Sequence, residues 1–92
     1  PSNYSLSQNY PNPFNPVTKI RFTIPAVETS RQDVLLKIYD ALGREVAVLV
    51  NEILNPGIYS IDWNASNYPS GVYFYKLTTS DYSDSKKMVL IK

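Results

Sequence analysis

The sequence has no cysteine and no histidine. That removes disulfide staples, thiol nucleophiles, structural zinc and every catalytic scheme that uses imidazole as base or ligand. Charge is sparse and balanced, with Lys+Arg 9 against Asp+Glu 8 and a formal net charge of +1. A nucleic-acid footprint needs a concentrated basic face, and this balance argues against one. No segment approaches the roughly 18–20 continuous apolar residues of a membrane helix. Pro1 stands first, and no basic stretch leading into an apolar one follows it. The chain is therefore expected to be a piece of a longer protein. The lack of cysteine fits an exported bacterial protein as well as a cytoplasmic one.

What is present points to β-structure. The 92 residues allow one small domain, which buries about 60–65% of its unfolded surface and has little volume to spare for a deep cleft. Aromatic residues make up 13%, with 8 tyrosines, a composition suited to a half-buried pleated surface. Ile20, Phe22 and Ile24 alternate with Lys19, Arg21 and Thr23, and Val34, Leu36 and Ile38 with Leu35, Lys37 and Tyr39. Tyr59, Ile61 and Trp63 repeat the pattern, as does the aromatic run Val72–Leu77, and Lys87–Ile91 reads as a last strand. Glu45–Val50 is apolar enough to predict a strand buried on most of its surface.

The 3 glycines fall between these runs. Asp40–Arg44 reads as a hairpin with Gly43 at positive φ, and Asn55–Gly57 and Pro69–Gly71 as turns. Asp81–Asp84 reads as a polar loop before the last strand. No stretch keeps a helical period. The pattern predicts an all-β, immunoglobulin-like antiparallel sandwich of about seven strands, with Ile20, Phe22, Leu36, Ile38, Ile61 and Trp63 in one core.

Residues 1–16 form an arm or linker end, and 17–92 the sandwich. Pro11, Pro13 and Pro16 exclude a helix or a central strand from the arm. It should run extended, with Tyr10 and Phe14 available to pack on the sandwich, either as a binding strap or linker end or as a stiff lead-in that plugs one end of the core.

Catalytic chemistry has little to work with. The acids Glu28, Asp33, Asp40, Glu45, Glu52, Asp62, Asp81 and Asp84 sit mostly in turns or on polar strand faces, and a glycosidase pair would need two of them across a cleft. No enzyme activity and no cofactor are expected. Asp81 and Asp84, with Ser83 and Ser85, could contribute to a calcium loop, but the spacing matches no EF-hand. Trp63, Tyr68, Tyr73 and Tyr75 would be the platform of a carbohydrate-binding or adhesive module; a lone Trp in a small sandwich is more often its core anchor. Asn3-Tyr-Ser5 and Asn64-Ala-Ser66 match the glycosylation acceptor pattern, which is short enough to occur by chance. The lysines of Lys86-Lys-Met-Val-Leu-Ile-Lys92 bracket an apolar strand, either as edge protection or as basic anchors for a docking partner.

Taken together, these motifs resemble a known family. Leu6-Ser-Gln-Asn-Tyr-Pro-Asn-Pro-Phe-Asn-Pro-Val-Thr-Lys-Ile-Arg-Phe22 is similar to the opening of the type A C-terminal sorting domain of the type IX (Por) secretion system of Bacteroidetes and their relatives. The similarity continues through Ile38-Tyr-Asp-Ala-Leu-Gly-Arg-Glu-Val46, Pro56-Gly57 before Trp63, Ser70-Gly-Val-Tyr-Phe-Tyr75 and Lys87–Lys92. The hairpin also resembles the immunoglobulin-like module of flagellar hook-capping proteins, but the Asn-Pro-Phe-Asn-Pro arm and the terminal lysines favour the sorting domain.

The resemblance implies a non-catalytic domain C-terminal to a secreted cargo. It would be read by the outer-membrane translocon after periplasmic transit and then removed by a sortase-like protease. The cargo is then released or attached to the cell surface. The matching segments of the signal imply Gly71, Tyr73, Lys87 and Lys92 as recognition residues, with Gly71 acting through its backbone and Tyr73 partly structural. The partners implied are the translocon, the protease and the attached cargo, with no nucleic acid and no small-molecule substrate. A sorting signal should end near Lys92, whereas a spacer between domains should continue past it.

Overall fold

β-strands that face a core bury every second residue, and the alternation read from the sequence sets which one in four of the strands described below. In the computed structural model, which describes residues 3–26 and 31–92, seven strands form: β1 (Ser5–Leu6), β2 (Val17–Ile24), β3 (Gln32–Asp40), β4 (Glu45–Leu54), β5 (Gly57–Asn64), β6 (Gly71–Thr78) and β7 (Ser83–Leu90). Glu28 lies outside the described residues. The strands pair antiparallel in two sheets, β1-β2-β5 and β4-β3-β6-β7. The domain is an all-β, immunoglobulin-like sandwich, with no helix among the described residues.

Between the sheets lie Ile20, Phe22 and Ile24 of β2, Val34, Leu36 and Ile38 of β3, Tyr73, Tyr75 and Leu77 of β6, and Met88 and Leu90 of β7, with Trp63 from β5. Five of the six residues expected in the core are buried there. Ile61 is only partly buried and packs against the rest.

Two expectations need correction. β4 is not buried on most of its surface: it is an edge strand, and of its residues only Val50 is buried, while Val48 is 46% exposed. Its apolar run of valines signals β-propensity, which says nothing about a strand's place in the sheet. The last strand also begins earlier than expected, at Ser83, so the connecting loop is shorter and Asp84 belongs to β7.

The arm is woven into both sheets. Ser5–Leu6 pairs with β2, Tyr10 bridges Lys19, and Phe14 then bridges Leu90 in parallel, so the chain crosses from one sheet to the other. Phe14 is buried and plugs the end of the core, as expected. Tyr10 does not: its ring is 81% exposed although its backbone is paired. The peptide bonds before Pro11, Pro13 and Pro16 are cis.

Candidate functional site

The residues singled out by their motifs converge on one end of the sandwich. β6 and β7 are paired in perfect register from Gly71↔Leu90 to Thr78↔Ser83, so the start of β6 and the end of β7 lie side by side. Gly71 has φ +153, a conformation side chains rarely adopt, yet no atom lies within 4 Å of where a Cβ would stand. Glycine is needed there for its backbone and not for space.

Lys92 ties this end together. Its ammonium donates to the carbonyls of Ser66 (2.6 Å) and Tyr68 (2.8 Å), and its backbone N–H donates to Ser70 Oγ (3.0 Å). Within the same loop the Asn64 side chain accepts from the N–H and hydroxyl of Ser66. A lysine and a loop more than twenty residues apart in sequence thus act as one unit. Beneath the loop Trp63 is 4% exposed, edge-on to Tyr73 (5.5 Å) and tilted against Phe14 (5.8 Å) and Tyr68 (5.4 Å). The Tyr73 hydroxyl donates to the Pro69 carbonyl (2.6 Å), and burial raises its pKa above the ordinary phenol value. Tyr73 therefore sits under the turn and holds it from within.

These contacts bury the aromatic platform considered for sugar binding. Trp63, Tyr73 and Tyr75 are core residues, and Tyr68 is partly buried over them. Among the described residues no three carboxylates gather to hold a metal ion. Asp84 accepts from the Tyr82 hydroxyl and the Ser85 N–H.

Lys87 differs from Lys92. Its side chain is exposed on β7, directly opposite Phe74, and only its backbone carbonyl is engaged, by the Gln8 side chain (2.7 Å). That contact belongs to a clamp. Val89 donates to Asn12 Oδ1 (3.0 Å) and accepts from the Phe14 N–H (3.0 Å), while Ile91 donates to the Phe14 carbonyl (3.0 Å). From Lys87 to Ile91 the outer edge of β7 is closed by the arm, so the lysines are not what protects that stretch from strand pairing. The Asn-Pro alternation marks the arm as irregular, but no local signal says which edge it covers. Gln8, Asn12, Ser66 and Ser70 are the contributors that sequence reasoning missed.

Across a groove of about 350 Å³ from Pro69–Gly71 stands the β3–β4 hairpin, with Leu42 and Arg44 at its rim. Its Asp40 carboxylate accepts from the N–H groups of Leu42 (2.9 Å) and Arg44 (3.0 Å) and from Arg44 Nε (2.8 Å). The Arg44 N–H first, and then its guanidinium, hold this carboxyl below the usual range. Gly43, at φ +83, closes the turn as its position predicted.

Residues 8–92 match the profile of the secretion system C-terminal sorting domain. The chain belongs to that family. A search of curated proteins finds no match. As a member, the sorting domain is a C-terminal sorting signal of type IX secretion, which implies dealings with that machinery and export to the cell surface or beyond.

Proposed function

We propose that this domain is the folded address by which an attached cargo is recognised at the outer-membrane translocon. A sortase-like protease then separates it from the cargo on its N-terminal side. The cargo crosses the periplasm with the domain attached and is released or fixed at the cell surface. Gly71, Tyr73, Lys87 and Lys92 serve recognition in different ways: Lys87 as an exposed charge, and the other three by holding the turn and the end of β7 in one shape. The domain itself performs no reaction.

The observation that supports this reading is the Lys92 cradle, which joins the Ser66–Gly71 loop to the end of β7. The last strand and the Ser-Gly-Val-Tyr turn, the segments that match the signal, become one surface. The test is a periplasmic reporter fused ahead of residues 1–92 in a bacterium with type IX secretion. The fusion should leave the cell and lose the domain on the way, while the reporter alone should stay in the periplasm. Equal export of both would overturn the proposal.

A further inference from the structure

Resting on that reading, we propose that the outer face of β6 and β7, bordered by β3, docks an acidic protein surface of the export machinery. Partners often read a sheet by adding a strand to its edge. Here that route is closed beside the signal, because Gln8, Asn12 and Phe14 already occupy the edge of β7. What remains accessible is the face.

The register defines it. Tyr73, Tyr75, Leu77, Met88 and Leu90 point inward, so Val72, Phe74, Lys76, Lys87 and Val89 point outward, with Tyr39 of β3 opposite Phe74. Phe74 is 36% exposed at the centre, with Val72 and Val89 paired on one side and Lys76 and Lys87 beside it. An aromatic centre with a charged rim is the composition of a protein interface.

The charge on this face is one-sided. Lys76 and Lys87 have no ion-pair partner among the described residues, whereas Lys37 is bridged to Glu45 at 2.8 Å. Lys76 also stands directly opposite Lys37 across β3 and β6. Like charges at such positions oppose folding, so the isolated domain gains nothing from a lysine there. An incoming carboxylate would relieve the repulsion and pair the lysines. The other sheet is less unbalanced: its Lys19 is bridged to Asp62 at 3.1 Å, which leaves Arg21 as the one cation of β2 and β5 without an ion pair among the described residues.

The test uses the same reporter fusion with Lys76→Glu and Lys87→Glu together, a neutral Lys76→Gln/Lys87→Gln version, and a control with equal charge change elsewhere, Arg21→Glu/Arg31→Glu. The reversed face should cut export by about tenfold or more, the neutral version less, and the control little. Purified 92-residue variants should melt within a few degrees of the parent, which separates docking from folding. Export of the reversed face at the parental level, while the reporter without the domain stays behind, would overturn the inference and leave the sorting function standing. Export without any domain would instead overturn the function on which it rests. Equal loss in the control would reduce the effect to net charge. Lysine-dependent sedimentation of the purified domain with lipopolysaccharide vesicles would make the acidic partner a lipid and overturn the protein assignment.

Discussion

The four-stranded sheet has two edges, and they are protected in opposite ways. β4 is long and largely exposed, and its pairing with β3 slips twice, between Leu36 and Lys37 and between Ile38 and Tyr39. Each slip leaves an extra residue on β4, Leu49 in one and Val46 in the other. Such bulges twist an edge and spoil it as a template for a further strand. β7 pairs with β6 without a slip and would be a good template, but the arm lies along it. Irregularity guards one edge and a strap guards the other. The strapped edge carries the last strand and lies beside the Ser70–Tyr73 turn, whereas the Ile38–Val46 motif forms the hairpin that leads into the bulged edge.

The largest break in this comparison is Phe14→Ala. It removes a ring buried beside Trp63 and should cost about 3–5 kcal/mol, a large part of a small domain's stability. Denaturant unfolding measures the loss, and amide exchange should show Val89 and Ile91 opening with it. Val48→Ala on the other edge should change stability by no more than about 0.5 kcal/mol. Equal costs at the two positions would contradict the contrast.

Next is Tyr75, whose hydroxyl donates to the carbonyl of Ser7 in the arm (2.6 Å). Burial pushes its pKa up to about 12. A phenol with a raised folded-state pKa lends stability that is whole below its unfolded value near 10 and is lost as pH climbs through the folded value. Stability should therefore fall between about pH 10 and 12. Tyr75→Phe should cost about 1 kcal/mol at neutral pH and make the alkaline fall shallower. Some slope should remain, because Lys37, Tyr73 and Tyr82 also have raised pKa values. An unchanged alkaline slope would remove Tyr75 from this account.

Asn12→Ala is a milder cut in the strap. It deletes the acceptor of the Val89 N–H and should cost about 0.5–1 kcal/mol. Faster exchange at Val89, with β4 amides unaffected, is the expected signature.

The contrast between edges also marks where sequence reading reaches. Alternation in β2, β3, β6 and β7 was legible because one face of each is buried, and burial imposes a period of two. β4 misled because its valines look like a core strand, while its edge position comes from the order of strands, which no local window contains. The prolines of the arm declared what it could not be. Its seat on β7 depends on Asn12 and Phe14 meeting backbone more than seventy residues away. Lys92 was marked as a site residue, but its carbonyl partners lie in a loop whose own residues carry no charge to advertise them.

The smallest expected effect is local and lies at the root of the bulged edge. Asp40 accepts from the Leu42 and Arg44 N–H groups as a carboxylate, and the Arg44 N–H leads in lowering its pKa. A carboxyl whose folded-state pKa is depressed contributes stability that is present above its unfolded value near 3.9 and is lost as pH falls through the folded one. Below about pH 4 the hairpin should loosen at Leu42 and Arg44, where amide exchange reports it. The strap has no such dependence: Asn12 holds Val89 through a carboxamide and Phe14 through its backbone, neither of which titrates. Acid should therefore open the turn that leads into β4 while Val89 and Ile91 stay protected. Asp40→Asn, which keeps an acceptor but loses the charge, should abolish the acid step at Arg44. If both edges opened together at the same pH, acid would be acting on the whole sandwich, and the two edges would not be independently held.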